Sequence, residues 1–183
     1  MTIYFVTSNT GKYEEVKEIL ASFGVVQKDI GYPEIQSSSL KEVILFGLDS
    51  LAGAGLEQII IEDSGLFIDA FQGFPGVYSA YVYQSMGSSG ILKLMEGIAD
   101  REAVFRSMIG YLDTITGDVV VFEGMCKGFI SEIAKGKQGF GFDPIFIPQG
   151  SNLTFSQMTT KEKNRYSHRG KSVRKLKRFL EKR

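Results

Sequence analysis

The chain has 183 residues, 43% hydrophobic and 23% charged, proportions of an ordinary globular protein that exclude disordered and fibrous classes. No apolar run approaches the roughly 20 residues that a membrane span needs, and the first residues carry no signal-peptide pattern. A single cysteine, Cys126, and a single histidine, His168, exclude an internal disulfide and a His/Cys zinc site, and a lone thiol fits a reducing cytoplasm.

In chain order, Thr2 to Val6 reads as a strand, followed by a polar turn and a helix with Tyr13, Val16, Ile19, Leu20 and Phe23 at helical spacing. Gly24 ends that helix and Val25-Val26 opens a second strand. A helix is expected from Leu40 to Ala52, with Ser39 as N-cap and Glu42 at the capping-box position. The run Gln58 to Ile61 reads as a buried central strand with Glu62-Asp63 at its C-terminal tip. A Gly-rich loop (73–76) leads to a short helix around Ile91 to Glu96. Next come two β runs, Ala103–Leu112 and Asp118–Ile130, at hairpin spacing. Ser167 to Arg183 closes the chain as a helix with Val173, Leu176, Phe179 and Leu180 on its apolar stripe. The alternation predicts an α/β fold with a mixed central sheet. With no repeat or linker, one domain over residues 1–183 is expected.

The zero net charge conceals an asymmetry. From Lys161 onward stand 11 basic and 2 acidic residues, about +9, balanced by an acidic remainder. Such an end suits nucleic acid, a membrane surface or ligand phosphates, or is simply a solvated helix face.

Four segments carry candidate chemistry. Thr7-Ser8-Asn9-Thr10-Gly11-Lys12 lies where a helix N-terminus favours an anion, with Lys12 as a point charge, although the first glycine of a P-loop is missing. Glu62-Asp63-Ser64-Gly65 offers hard oxygens for Mg²⁺ and a base for water, or else a turn capped by Asp63 and Ser64. Glu34 is a third acid that spacing alone does not bring to Asp63. Gly139-Phe140-Gly141-Phe142-Asp143-Pro144 reads either as a base-stacking platform or as a glycine-kinked strand. Glu162 through Gly170 places Lys163, Ser167, His168 and Arg169 at the head of the last helix.

Taken in order, these segments, with Gly73-Phe74-Pro75-Gly76-Val77-Tyr78-Ser79-Ala80 and Ser156-Gln157-Met158, resemble the inosine triphosphate pyrophosphatase family, and Pro33-Glu34-Ile35-Gln36 is similar to its archaeal branch. The resemblance implies an elongated two-lobed fold with a nucleotide groove between the lobes. It implies hydrolysis of ITP, dITP and XTP to the monophosphate and pyrophosphate. The partners implied are the purine nucleotide and a second copy in a homodimer, with neither nucleic acid nor membrane. By the same resemblance Glu34 and Asp63 serve Mg²⁺ (Mn²⁺ as a candidate substitute), Glu62 supports them, and Asp63 is the general base. Residues 7–12 hold phosphates, and Ser64, Phe140, Gly141, Phe142, Asp143, Lys163, His168 and Arg169 contact the nucleotide. The Arg169 side chain and the backbone N–H groups near Ser167 to Arg169 are the candidates for reading a 6-keto base. The family commonly has Tyr or Trp where this chain has Phe142. Rival readings are a pyrimidine-directed relative, a nucleic-acid-binding module using the basic helix, and a catalytically silent nucleotide sensor.

Overall fold

The computed structural model describes residues 2–183. Strand β1 (Thr2–Val6) buries Ile3 and Phe5 completely and turns at Asn9 into helix α1 (Thr10–Ile19). β2 (Gly24–Lys28) and α2 (Leu40–Leu51) follow, the latter capped by Ser39 as expected. β3 (Gln58–Ile68), the short β4 (Pro75–Gly76) and α3 (Ser79–Leu94) come next. The expected hairpin is β5 (Glu102–Asp113) and β6 (Val119–Ile130). β7 (Phe146–Pro148), α4 (Thr160–Tyr166) and α5 (His168–Leu180) complete the chain.

The sheet order is β2-β1-β3-β5-β6-β7, with β4 on the far end of β3. β1 is parallel to β2 and β3, whereas β3, β5, β6 and β7 run antiparallel in succession, so the sheet is mixed. Side chains of a strand alternate between faces. Ile60 therefore joins Phe5, Val16 and Leu176 under α1 and α5, while Ile59 and Ile61 join Ile44 and Leu48 under α2. A third cluster, with Leu66, Ile68, Phe105, Phe146 and Phe155, forms the core of a second lobe. β3 and β5 supply residues to both lobes.

The strand expected to stop at Glu62-Asp63 continues to Ile68, paired with β5 throughout (Asp63↔Met108, Ser64↔Ser107). The strand that ends is its neighbour β1, whose pairing with β3 stops at Phe5↔Ile60. Glu62 to Gly65 thus sit at the waist between the lobes, on an edge left bare until β4 joins at Leu66. Gly65, which reads as a turn residue, is there for clearance: a Cβ would lie 2.1 Å from the Gly76 carbonyl oxygen. α3 begins twelve residues before the helix expected from periodicity and bends at Gly87 (φ 62, ψ −170). α4 was not expected; its start is a reciprocal cap between Thr159 and Glu162.

α5 rests directly on β6, since a Cβ at Gly124 would lie 2.1 Å from the His168 carbonyl oxygen. That close approach places the head of α5 against the waist. Six of the eleven basic residues from Lys161 onward are bound to protein acceptors: Lys163, Arg169, Lys171, Arg174, Lys175 and Arg183. Much of the charge at this end is therefore structural.

Candidate active site

A groove of about 260 Å³ opens at the waist. Asn9 and Lys12 line it from α1, Asp63 and Ser64 from β3, Tyr83 and Gln84 from α3, Phe140 to Asp143 from the loop before β7, and His168 and Arg169 from the head of α5. The four distant segments converge.

At the head of α1 the Asn9 side chain accepts from the Lys12 N–H at 2.9 Å, and Thr7 Oγ1 accepts from the Asn9 N–H at 3.1 Å. Gly11 is packed against Phe140, whose ring would sit 2.5 Å from any Cβ there. Ser8 and Thr10 are exposed. Lys12 Nζ donates to the Glu62 carbonyl at 3.0 Å and lies 3.1 Å from Glu62 Oε2 and 3.7 Å from Asp63 Oδ1.

Behind this face lies a buried ionic network whose members the sequence reading names, except for Glu15 at its centre. Arg169 contacts Glu15 Oε2 at 2.7 Å through Nη1 and Ser64 Oγ at 2.8 Å through Nη2, and its Nε is 3.1 Å from Glu62 Oε2. Lys163 pairs with Glu15 Oε1 at 2.6 Å and Asp143 Oδ2 at 2.5 Å. Glu15, absent from the sequence-based site, is the hub joining both cations. Its signal was a lone acid beside Val16 on the buried side of α1. Lys163 and Arg169 are 3% and 1% exposed. All three guanidinium nitrogens of Arg169 thus face protein partners.

The network sets the proton affinities. Burial pushes Glu62 upward, but Arg169 and Lys12 overcome it and hold the carboxyl at about 2. Burial is likewise overcome at Glu15, which Arg169 and Lys163 keep below the usual carboxylate range. Asp63 behaves oppositely: burial raises it, Lys12 lowers it only in part, and neighbouring Glu62 raises it further. Three cations face four carboxylates, and of the two acids on β3 Asp63 is the one left poorly compensated. Asp143 is also raised, by burial that Lys163 only partly offsets. Burial and then Arg169 hold His168 well below the usual imidazole value, so it is neutral at pH 7. Its ring stacks on Phe105 at 4.6 Å.

Phe140 lies beneath Lys163 Nζ (4.7 Å) and Arg169 Cζ (5.4 Å), and Asp143 Oδ2 accepts from the Phe140 N–H at 2.9 Å. Phe142 is buried and meets the Tyr83 ring edge-on at 5.3 Å. Glu34 is exposed on the segment between β2 and α2 and does not line the groove. Its charge, with those of Asp63 and Glu62, reaches the Tyr32 phenol, which burial and these acids hold far above its usual value. The oxygens available at the waist are hard donors suited to Mg²⁺, although Glu62 Oε2 already lies between Lys12 and Arg169. Among the described residues no group of three or more His, Cys, Asp or Glu side chains converges as a ligand set.

The mixed α/β fold is shared with solved Ham1 proteins. The one from Staphylococcus aureus superposes with a TM-score of 0.84 at 28% identity, over 99% of this chain and 98% of that one. A structure from Mycobacterium abscessus titled nucleoside-triphosphatase / dITP/XTP pyrophosphatase gives 0.70 at 30% identity, over 96% and 98%. The chain belongs to the Ham1 family, which matches residues 3–179. The dITP/XTP pyrophosphatase of Pyrococcus horikoshii is 52% identical over 176 residues, 95% of this chain and 94% of that protein. That of Thermococcus kodakarensis is 48% identical over 182 residues, covering 98% and 97%.

Proposed function

We propose that this protein hydrolyses ITP, dITP and XTP to the nucleoside monophosphate and pyrophosphate with Mg²⁺ as cofactor, acting as one domain over residues 1–183. The observation that carries the reading is Asp63: a largely buried carboxylate, 25% exposed, with raised proton affinity, facing Lys12 and the head of α1 across the groove. A helix head offers unpaired N–H groups to phosphate oxygens, and Lys12 adds a point charge. Asp63 accepts the proton of a water whose oxygen bonds to phosphorus as the α–β anhydride P–O bond breaks and pyrophosphate leaves. Asp63 and Glu34 would hold Mg²⁺, with the Glu62 carboxylate behind them. When bound, the ion neutralises developing charge on the phosphate oxygens.

The nucleotide base lies against Phe140, whose position is fixed by Asp143. With the Arg169 side chain committed to Glu15, Ser64 and Glu62, the donors for a 6-keto group are the backbone N–H groups of His168 and Arg169, first in α5 after the Ser167 cap. Adenine would present its amino donor to those donors, an unpaired mismatch that discriminates strongly. Phe142 provides apolar contact only. We also infer a homodimer, supported by the exposed aromatic group Phe74, Tyr78 and Tyr81 (72% exposed) beside the groove wall. A cytoplasmic setting is supported by the free, buried Cys126, whose thiol burial pushes up to about 11. The test is a panel of ITP, dITP, XTP, ATP, GTP, CTP and UTP with product identification. Pyrophosphate from the first three alone is expected; release of orthophosphate, or equal turnover of ATP, would overturn the reading.

A further inference from the structure

The segment that carries Glu34 is held in an unusual way. Residues 29–38, between β2 and α2, form no helix or strand, and among the described residues none of them makes a backbone–backbone hydrogen bond. Glu34 itself is exposed. Its C-terminal end is tied to α2 by the Ser37 hydroxyl, which donates to Glu42 Oε2 at 2.6 Å; nearer Glu34, what docks the segment is the ring of Tyr32, packed against the cluster of Val6, Ile44, Leu48 and Ile61. The ring enters a notch in α2 that exists because residue 47 is glycine. A Cβ there would lie 2.8 Å from Tyr32 Cε2 and 2.7 Å from Ile61 Cδ1. Ile61 immediately precedes Glu62 and Asp63, so the ring is seated against the very strand that bears the acids. Gly31 turns the chain into the seat at φ +65, and Pro33 holds its own φ near −65° and keeps Tyr32 extended. In an extended segment residues two apart face the same side, which couples the direction of Glu34 to the placement of Tyr32.

We propose that Tyr32 is a positioning residue for the metal site: its ring, seated on Gly47, fixes how far Glu34 reaches toward Asp63. The inference rests on reading Glu34 and Asp63 as the carboxylates that serve Mg²⁺. The seat lets an otherwise untethered acid arrive at a fixed place without burying it. Outer partners of this kind typically change metal affinity about 10- to 100-fold when removed.

The test uses Mn²⁺ as the probe, with free ion counted by electron paramagnetic resonance in the presence of α,β-methylene-ITP, beside the Mg²⁺ half-saturation of ITP turnover. Tyr32→Ala and Gly47→Ala should each weaken Mn²⁺ binding by about tenfold or more and raise the Mg²⁺ requirement in parallel. Tyr32→Phe, which keeps the ring, should remain near wild type. In a Glu34→Gln background, Tyr32→Ala should add nothing, because it acts through Glu34; a purely structural loss would lower folded protein without that non-additivity. Gly47→Ala keeps Tyr32 and tests the seat if Tyr32→Ala fails to fold. If Glu34→Gln weakens Mn²⁺ binding while the Tyr32 and Gly47 variants do not, the inference falls alone. If Glu34→Gln itself changes nothing, the ligand assignment falls and the inference with it.

Discussion

Replacing Glu15 by Gln tests whether the groove wall is an ionic network with one hub. The carboxylate is 4% exposed and binds Lys163 at 2.6 Å and Arg169 at 2.7 Å. Breaking a buried pair costs about 3–5 kcal/mol because the abandoned charge cannot rehydrate. Here each cation keeps a second partner, Asp143 for Lys163 and Glu62 for Arg169, so the lower end of that range, about 3 kcal/mol, is expected. For a chain of this size 1 kcal/mol moves Tm by about 2–4 °C, giving a loss of about 6–12 °C at pH 7. The pH dependence supplies a second check. The folded pKa of Glu15 lies below its ordinary 4.5. Its stabilisation is therefore complete above 4.5 and is lost as the pH falls through the lower, folded value. Melting curves by circular dichroism from pH 7 to pH 3 should show the gap between wild type and variant narrowing in acid. A loss under about 2 °C at pH 7, or a gap independent of pH, would refute the reasoning.

Asp63→Asn should abolish pyrophosphate release from ITP while leaving Tm unchanged or higher. The raised pKa means that ionising Asp63 costs stability above its ordinary 3.8, and Asn removes that cost; near-normal turnover would defeat its role as base. Gly65→Ala puts a Cβ 2.1 Å from the Gly76 carbonyl, and a loss of about 1–3 kcal/mol in urea unfolding is expected from such overpacking. Arg169→Ala should lower turnover of ITP, XTP and residual ATP by similar factors, since its donors are committed to Glu15, Ser64 and Glu62. A selective loss on ITP alone would return the side chain to base recognition.

The parts of the fold that depend on short-range pattern were legible in the sequence. The α1 and α5 stripes, the Ser39 cap and the β5–β6 hairpin follow from periodicity and turn chemistry within a few residues. The acids at the waist were legible as chemistry but not as geometry. Ser64 and Gly65 carry turn composition, yet pairing with the twelve-residue β5 carries the strand on through them. α3 was hidden because Ser, Gly and Tyr dilute its periodicity and Gly87 interrupts it. Glu15 was missed because its partners, Lys163 and Arg169, stand 148 and 154 residues away. No local rule says why an acid should be buried beside Val16; only the arrival of two cations from α4 and α5 explains it.

β3 and β5 run unbroken from one lobe's core into the other's, with eleven consecutive paired positions between them. The two sides of the groove consequently have no linker at which to pivot. Any narrowing around a nucleotide must come from added twist along this common ribbon, whose stiffness every paired residue shares, or from the segments at its margins that carry Phe140 and Glu34. Asp63, at the centre of the paired stretch of β3, is then the point that such twisting displaces least.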